Sequence, residues 1–453
     1  MSLIMRLPEL LRESRMQYEV WKQRAADCFR KTEQVQRGAA PEDGLSRNLL
    51  LCGDNAAFMR WLEETQHAAG KIKLIYVDPP FFTRTNYGAE IRLRSEAGNK
   101  IPVVKQQAYH DTWENGMEEY LKMLAVRFYL MKDLLADDGC LWVHLDWHAV
   151  HYVKVLLDEI FGEEHFINEI IWQYKSGGVS KHSFAKKHDT LLYYAKTKNY
   201  YFSPQKEKSY NRDLKPYRFK GVKEYKDEIG WYTMVQRKDV WQIDMVGRTS
   251  SERTGYVTQK PEALIERILD CCTREGDLCA DFFGGSGTLA AAAERMHRRW
   301  ISCDVGMLAT VNTYCRLVKQ GASFDVYEAE PAASETPTLR ISAEVQTVPC
   351  SGRKLLRVTL LEYDGGSFEG LPVDEKYLPL LRQAAKEDSL QLLACWSVDP
   401  QYDGTYRPQA WFCREKGTVI SEYEALGERF ERIAVRAADL FGRSIFLELY
   451  PES

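Results

Sequence analysis

Residues 74–83 read LIYVDPPFFT. Proline cannot extend a strand ladder, so the apolar run stops at Asp78, and Pro79 and Pro80 preset the backbone beyond it. A carboxylate and the Pro79 carbonyl then stand side by side as two hydrogen-bond acceptors, next to the ring of Phe81. Two acceptors match the two hydrogens of a primary amine, and the ring matches the face of a planar base. An exocyclic base amine is a poor nucleophile because its lone pair is delocalised into the ring. Accepting hydrogen bonds from both N–H groups pushes the nitrogen toward sp³ geometry and frees that pair to attack. A strand merely terminated by Asp-Pro-Pro, with Phe81 packed nearby, is the plain structural alternative.

A second constellation lies two hundred residues on, in ADFFGGSGTLAAAAERM at 280–296. An apolar strand, a turn with three glycines and a small-residue helix follow one another directly. Gly285 and Gly287 allow a sharp turn and a close approach of backbone to a ligand. Asp304 ends the next strand, RRWISCDV. A glycine turn beneath a ligand, with an acid on ribose hydroxyls at the neighbouring strand end, is the pattern of a nucleotide-type cofactor site. The turn is neither G-x-G-x-x-G nor a phosphate loop, and a plain tight turn is the alternative. Asp281 is a carboxylate inside an apolar strand end, costly to bury without a partner.

Alternating strands and helices must hold both constellations. NLLLCGD, KLIYVDPP, CLWVHLD, LCADFF and RRWISCDV read as buried strands, separated by AAFMRWLEETQ, VHYVKVLLDEIF, PEALIERILDCC and MLATVNTYCRLVKQ as helices. This rhythm implies a parallel sheet. MEEYLKMLAVRFYLMKDLLADDG reads as one helix stopped by Gly139, FINEIIWQY and DTLLYYAK as strands, and Pro261 as a first-turn residue of its helix. The stretch 84–112 carries Gly88, Gly98 and Pro102 without a period and reads as a long loop, of the kind that is usually functional or mobile. The expected organisation is a helical arm at 1–47, broken near Gly38 and Pro41, and a catalytic α/β domain at 48–173 and 258–322. A lysine- and aromatic-rich module at 174–257 is inserted between these two parts. A small α+β domain at 323–453 follows the linker EAEPAASETPT.

The 453 residues carry a net charge of −4, unevenly spread. Residues 171–260 hold 19 Lys and Arg against 9 Asp and Glu, whereas 321–453 sum to −8. A basic segment between acidic ones is the footprint of a polyanion site, with a solvated lysine face as the alternative. The acidic C-terminal segment fits dimerisation, partner docking or stability better than phosphate binding. The 11 cysteines form no Cys-x-x-Cys pair or zinc-spaced cluster and read as reduced thiols of a cytoplasmic protein. No membrane span or secretory signal is evident.

DPPF at 78–81, DFFGGSGT at 281–288 and TQKPEALIERIL at 258–269 together resemble the β class of DNA amino-methyltransferases, such as the modification subunits of type III restriction systems. The resemblance extends over roughly 48–320, and the order, with the DPPF motif before the glycine turn, characterises that class. It implies a Rossmann-like, mostly parallel seven-stranded sheet. The implied activity is methylation of adenine N6 or cytosine N4 in double-stranded DNA, from S-adenosylmethionine. Carried over, Asp78 and the Pro79 carbonyl, within Asp78-Pro79-Pro80-Phe81, hold the target amine and Phe81 stacks on the extruded base. Phe283, Gly285, Gly287 and Thr288 line the cofactor pocket, with Asp281 near its methionine end, Asp304 on the ribose, Lys260 facing the methionine carboxylate, and Asp54 as a further member. Phe282 departs from the family, which often has proline there.

Asp78 favours adenine, since many cytosine enzymes of the class carry serine at that position. Arg84, with Arg92, Arg94 and Lys105, is placed to close over an extruded nucleotide. Lys181, Lys186, Lys187, Lys215, Arg218, Lys220 and Arg237 are expected to meet phosphates. A second copy of the chain and a restriction subunit are candidate partners, and a prokaryotic or phage origin is implied. The competing readings are a cytosine-N4 enzyme, a catalytically silent DNA-binding subunit, a nicotinamide-dependent oxidoreductase and an RNA methyltransferase.

Overall fold

A computed structural model describes residues 3–36, 44–93, 103–175, 179–247, 249–256, 258–329, 337–349, 351–368, 371 and 373–451. Gly38, Pro41, Arg94, Gly98, Pro102 and residues 330–336 of the linker lie outside the described residues. The chain begins with α1 (Leu3–Gln23), β1 (Phe29–Val35), β2 (Asn48–Cys52), α2 (Asn55–Thr65), β3 (Ile72–Val77), β4 (Asn86–Arg92) and β5 (Val103–His110). It continues through α3 (Met117–Leu134), β6 (Leu135–Leu145), α4 (Val150–Phe161), β7 (Phe166–Gln173), β8 (His188–Ala195), β9 (Lys206–Tyr210), β10 (Glu224–Lys226), β11 (Trp231–Gln236) and β12 (Val240–Gln242). Then come α5 (Glu262–Cys272), β13 (Leu278–Asp281), α6 (Thr288–Arg295), β14 (Arg299–Asp304), α7 (Met307–Gln320) and β15 (Phe324–Ala329).

Ten strands form one sheet in the order β1-β15-β2-β14-β13-β3-β6-β8-β7-β12. The six from β15 to β6 are mutually parallel. Such strands are covered on both faces and so read as unbroken apolar runs. In β3, Ile75 and Val77 pack on one face with Phe58, Leu124 and Leu157 from α2, α3 and α4. Leu74 and Tyr76 pack on the other with Leu264, Ile268, Leu289 and Leu317 from α5, α6 and α7. This is the α/β arrangement read from the sequence, widened beyond seven strands at its edges.

Several boundaries differ from the sequence reading. The N-terminal segment is no separate helical arm: α1 buries Leu10 in the core, and β1 pairs antiparallel with β15 as an edge of the sheet. The large sheet accordingly runs past 322, to Ala329. β8 and β12 also belong to it, so within 174–257 only β9, β10 and β11 make a separate sheet. Helix α3 ends at Leu134, and the following Leu-Ala-Asp-Asp-Gly opens β6. Pro261 is the N-cap of α5, just before its first turn.

The expected loop at 84–112 is a hairpin, with Asn86–Arg92 paired to Val103–His110. Its Ile91, Leu93 and Val104 join the core of the C-terminal domain, contacts far away in sequence that no local period announces. That domain is α+β, as expected. It contains β16 (Thr338–Thr347), β17 (Lys354–Asp364), α8 (Leu378–Glu387), β18 (Leu393–Asp399), β19 (Ala410–Cys413), β20 (Glu422–Gly427), β21 (Ile433–Asp439) and β22 (Ser444–Leu449). These strands form a three-stranded sheet, β16-β17-β20, and a four-stranded one, β19-β18-β21-β22. No helix among the described residues is long and apolar enough to cross a membrane.

A buried charge ties this domain to the sheet edge. Glu33 of β1 is 2% exposed. It is met by Arg436 at 3.3 Å, the Tyr314 hydroxyl at 2.6 Å and the Trp411 indole N–H at 3.3 Å. Burial pushes its carboxyl upward, and the Arg436 guanidinium opposes that rise. Removing the cation leaves a carboxyl buried without its main counter-charge. Arg436→Met should therefore cost about 3–5 kcal/mol, read as a lowered urea midpoint. An unchanged midpoint would show that the pair does not hold the two units together.

Candidate active site

β3 and β13 are neighbours in parallel register, with Cys279, Ala280 and Asp281 opposite Leu74, Ile75 and Tyr76. From β3 the chain crosses through α3 to β6 on one side, and from β13 through α6 to β14 on the other. In an open α/β sheet, such a reversal opens a crevice at the carboxyl ends of the strands. Both constellations sit there. Asp78, Pro79, Pro80, Phe81, Asp54, Lys260, Asp281, Phe283, Gly285, Thr288 and Asp304 all line one cavity of about 640 Å³.

The glycine turn is shaped by backbone conformation. Gly285 has φ +51° and faces the cavity, and Gly287 has φ +70° at the N-cap of α6. A Cβ on Gly287 would stand 2.5 Å from Thr313 Cγ2, so this glycine packs the turn against α7 and does not line the cavity. Asp304 accepts the Gly285 N–H at 2.8 Å and the Gly306 N–H at 2.7 Å. Burial nevertheless raises its carboxyl above the usual range, the two N–H groups opposing it. Asp54 caps α2 through Ala56 N–H and Ala57 N–H and pairs with Arg127 at 2.9 Å. Arg127 also donates to Asn55 Oδ1, whose amide donates to the Phe282 carbonyl at 2.7 Å, so the α2 start and the glycine turn form one unit.

Lys260 is the main departure at the site. It lines the cavity, but its ammonium donates to both oxygens of Asp78, at 2.8 and 2.6 Å. It lies among carboxylates, with Asp78, Asp189, Asp281 and Asp304 all on the same cavity wall. Both members of the pair are largely covered, with side chains 10% and 20% exposed, so the ion pair is little screened by solvent.

A polar chain that sequence reasoning did not single out runs beneath Asp78. His144, fully buried on β6, shares a hydrogen bond with the Tyr76 hydroxyl at 2.8 Å through Nδ1 and meets Asp189 at 3.2 Å through Nε2. The carboxylate can only accept, so Nε2 bears the hydrogen. Tyr174 donates to the other Asp189 oxygen at 3.0 Å. Burial alone would raise Asp189, but the bonds from His144 and Tyr174 and the charge on Lys260 hold it below the usual carboxylate range. The His144 ring also lies against Phe81, with centroids 5.6 Å apart, and its Nδ1 is 4.0 Å from Asp78. A charged-polar run such as VHLD within a buried strand was the available signal.

The expected DNA-facing residues divide into groups. Arg84, at φ +58°, holds its guanidinium over the Phe82 ring at 5.3 Å, close to the DPPF turn. Lys181, Lys186 and Lys187 lie on the segment between β7 and β8, and Lys215, Arg218 and Lys220 on the connections of the small sheet. Arg237 follows β11, near Arg267 of α5, whose burial and like-charged neighbour lower its guanidinium below its usual range. Arg237 Nε is buried with no hydrogen-bond partner among the described residues, a poor position for a phosphate contact.

Residues 72–310, more than half of the chain, match the model of a DNA methylase family covering N6 and N4 amino-methylation. The chain belongs to this DNA methylase family. The chain is 27% identical over 301 residues to the type II methyltransferase M.EcaI of Enterobacter cloacae, covering 53% of the chain and 63% of that protein. It is 24% identical over 386 residues to the probable type III restriction-modification enzyme HindVI Mod subunit of Haemophilus influenzae, covering 57% and 48%. The methylase thus spans less than two thirds of the length of either relative. Among solved structures, PvuII DNA methyltransferase (cytosine-N4-specific) aligns with a TM-score of 0.40 at 17% identity, over 63% of the chain and 88% of that structure.

Asp281 offers a test of the cavity's electrostatics that needs no substrate. Burial, reinforced by the charges of Asp78 and Asp304, drives its carboxyl well up, against the Phe283 N–H and Lys260. A folded value above the unfolded one means a proton is taken up on folding, so this contribution to stability is lost as pH rises from about 4 toward the raised value. Asp281→Asn keeps an acceptor for the Phe283 N–H and removes the titration. Its melting temperature relative to wild type should climb as pH is raised from 4 to 8, followed by thermal denaturation. A constant difference across that range would mean that Asp281 is not held protonated.

Proposed function

We propose that this DNA methylase transfers a methyl group from S-adenosylmethionine to N6 of an adenine extruded from double-stranded DNA. The observation that carries the reading is the convergence of Asp78-Pro79-Pro80-Phe81 and residues 284–286 of the glycine turn on one cavity. The residues suit the cofactor. Gly285 leaves room for close approach, Asp304 is anchored to accept from ribose hydroxyls, and the buried Asp281 carboxyl and the Lys260 ammonium offer hydrogen-bonding groups to an amino-acid end. When bound, S-adenosylmethionine supplies a methyl group made electrophilic by its sulfonium.

The chain's own groups act on the base. Asp78 and the Pro79 carbonyl accept from the two amine N–H groups, concentrating the nitrogen lone pair toward the methyl donor. Each Asp78 oxygen has a second lone-pair site, so the carboxylate can keep Lys260 while accepting the amine. Lys260 thereby fixes the carboxylate's direction, a positioning role beside any contact to the cofactor. His144, Tyr76 and Asp189 brace Phe81 and the floor of the site, where the ring stacks on the base. The Pro80 ring keeps the turn rigid. The acid at position 78, where many cytosine enzymes of the class have serine, favours adenine. Lys181, Lys186, Lys187, Lys215, Arg218 and Lys220 are proposed to meet phosphates on the flanking duplex.

Incubation with labelled S-adenosylmethionine and unmethylated genomic DNA, followed by nucleoside analysis, should give N6-methyladenine. Asp78→Ala should lower transfer by roughly a thousandfold, of the order seen when a preorganised group at the reacting atom is removed, in a protein that circular dichroism shows still folded at the assay temperature. N4-methylcytosine in its place would overturn the adenine assignment, and label on RNA alone would overturn DNA as substrate.

A further inference from the structure

Phe184 has an environment that folding does not account for. It is 99% exposed, and Val179 on the same segment is 91% exposed. A phenylalanine fully in water contributes nothing to a core and costs hydration. The segment 175–188, KSGGVSKHSFAKKH, contains four lysines and no acid. It connects β7 to β8, and both of its ends are fixed at the active-site cavity. Tyr174 and Asp189 line that cavity and are joined by the 3.0 Å hydrogen bond between them, and Tyr174 N–H donates to the Lys187 carbonyl at 3.0 Å. Residues 180–186 of it make contacts of their own. The Ser180 hydroxyl accepts the N–H groups of His182 and Ser183 at 3.2 and 3.1 Å, and the Lys186 ammonium sits 3.6 Å above the Trp147 ring.

An apolar side chain carried on a basic loop at the mouth of a pocket has a specific use if the pocket takes a base out of a duplex. Extrusion leaves a gap in the stack and costs roughly a few kcal/mol in lost stacking and pairing. Proteins that distort DNA offset such costs with apolar wedges inserted between base steps. Resting on the reading of this protein as a DNA methyltransferase that extrudes its target, we propose that Phe184 is the wedge that enters the duplex where the target base has left. Lys181, Lys186 and Lys187 hold the neighbouring phosphates. On this assignment Phe184 is a positioning residue that acts on the DNA stack and not on the reacting atoms.

The test uses a duplex of about 30 base pairs carrying the target site, read from the positions that the wild-type protein methylates in genomic DNA. A second duplex has an abasic residue opposite the target base, so that pairing no longer resists extrusion. Phe184→Ala should melt at the wild-type temperature, because the side chain is almost fully exposed. Its single-turnover methylation of the paired duplex should fall about tenfold, a low value for the loss of one base–aromatic stack. On the abasic duplex the rate should return to within about threefold of wild type, and Phe184→Trp should retain the wild-type rate on both. A Phe184→Ala protein at full rate on the paired duplex, or equally impaired on both, would overturn the wedge while leaving the methyltransferase reading intact. A wild-type protein that labels no DNA overturns that reading first, and the wedge with it.

Discussion

Parallel pairing of Leu74–Tyr76 with Cys279–Asp281 sets the distance between two segments two hundred residues apart. In a parallel sheet neighbouring strands lie about 4.8 Å apart, so whatever follows β3 and β13 must emerge within one small region at the same sheet edge. After β3 come Asp78 and the two prolines, and after β13 comes the glycine turn. Because β3 and β13 send their crossovers to opposite sides, neither connection covers that region. A one-residue slip of β3 would exchange its two faces and turn Tyr76 away from His144. The apolar alternation of β3, Ile75 and Val77 on one face with Leu74 and Tyr76 on the other, fixes the register against that slip.

Charge then gives the site its character. Asp78, Asp189, Asp281 and Asp304 converge on one cavity with Lys260 as the lysine among them. Where a carboxylate finds a strong donor it stays ionised, as Asp189 does between His144 and Tyr174. Where burial dominates, as at Asp281, the acid is pushed toward its neutral form. The same residue type thus occupies two different electrostatic states a few residues from the DPPF turn, set by local partners.

The motifs at 78–81 and 281–288 were legible because each combines a strand end with residues that break strands, and such punctuation is local in sequence. The paired hairpin 86–110 was not legible, because its apolar side chains Ile91, Leu93 and Val104 match a surface formed by residues 339–445. β1 was hidden for a related reason: FRKTEQV shows no alternation of apolar and polar residues, and it buries a glutamate whose cation is Arg436. The Lys260 contact to Asp78 spans 182 positions, so the sequence could place both residues at the site but not on each other. Phe184 is an ordinary letter in the sequence, and only its exposure in the fold gives it meaning.

The Glu33 contact also bears on how the chain matures. During synthesis β1 is made early, but its ladder partner Phe324–Ala329 emerges about three hundred residues later, and Arg436 a further hundred after that. Until then the sheet keeps an open edge and Glu33 has no counter-charge, so the first strand of the sheet is among the last to be secured. Contacts of such high sequence separation slow folding and prolong the exposure of unpaired strand edges. The crevice between β3 and β13 can assemble once β14 has been made, whereas closure of the outer edge of the sheet waits for Arg436.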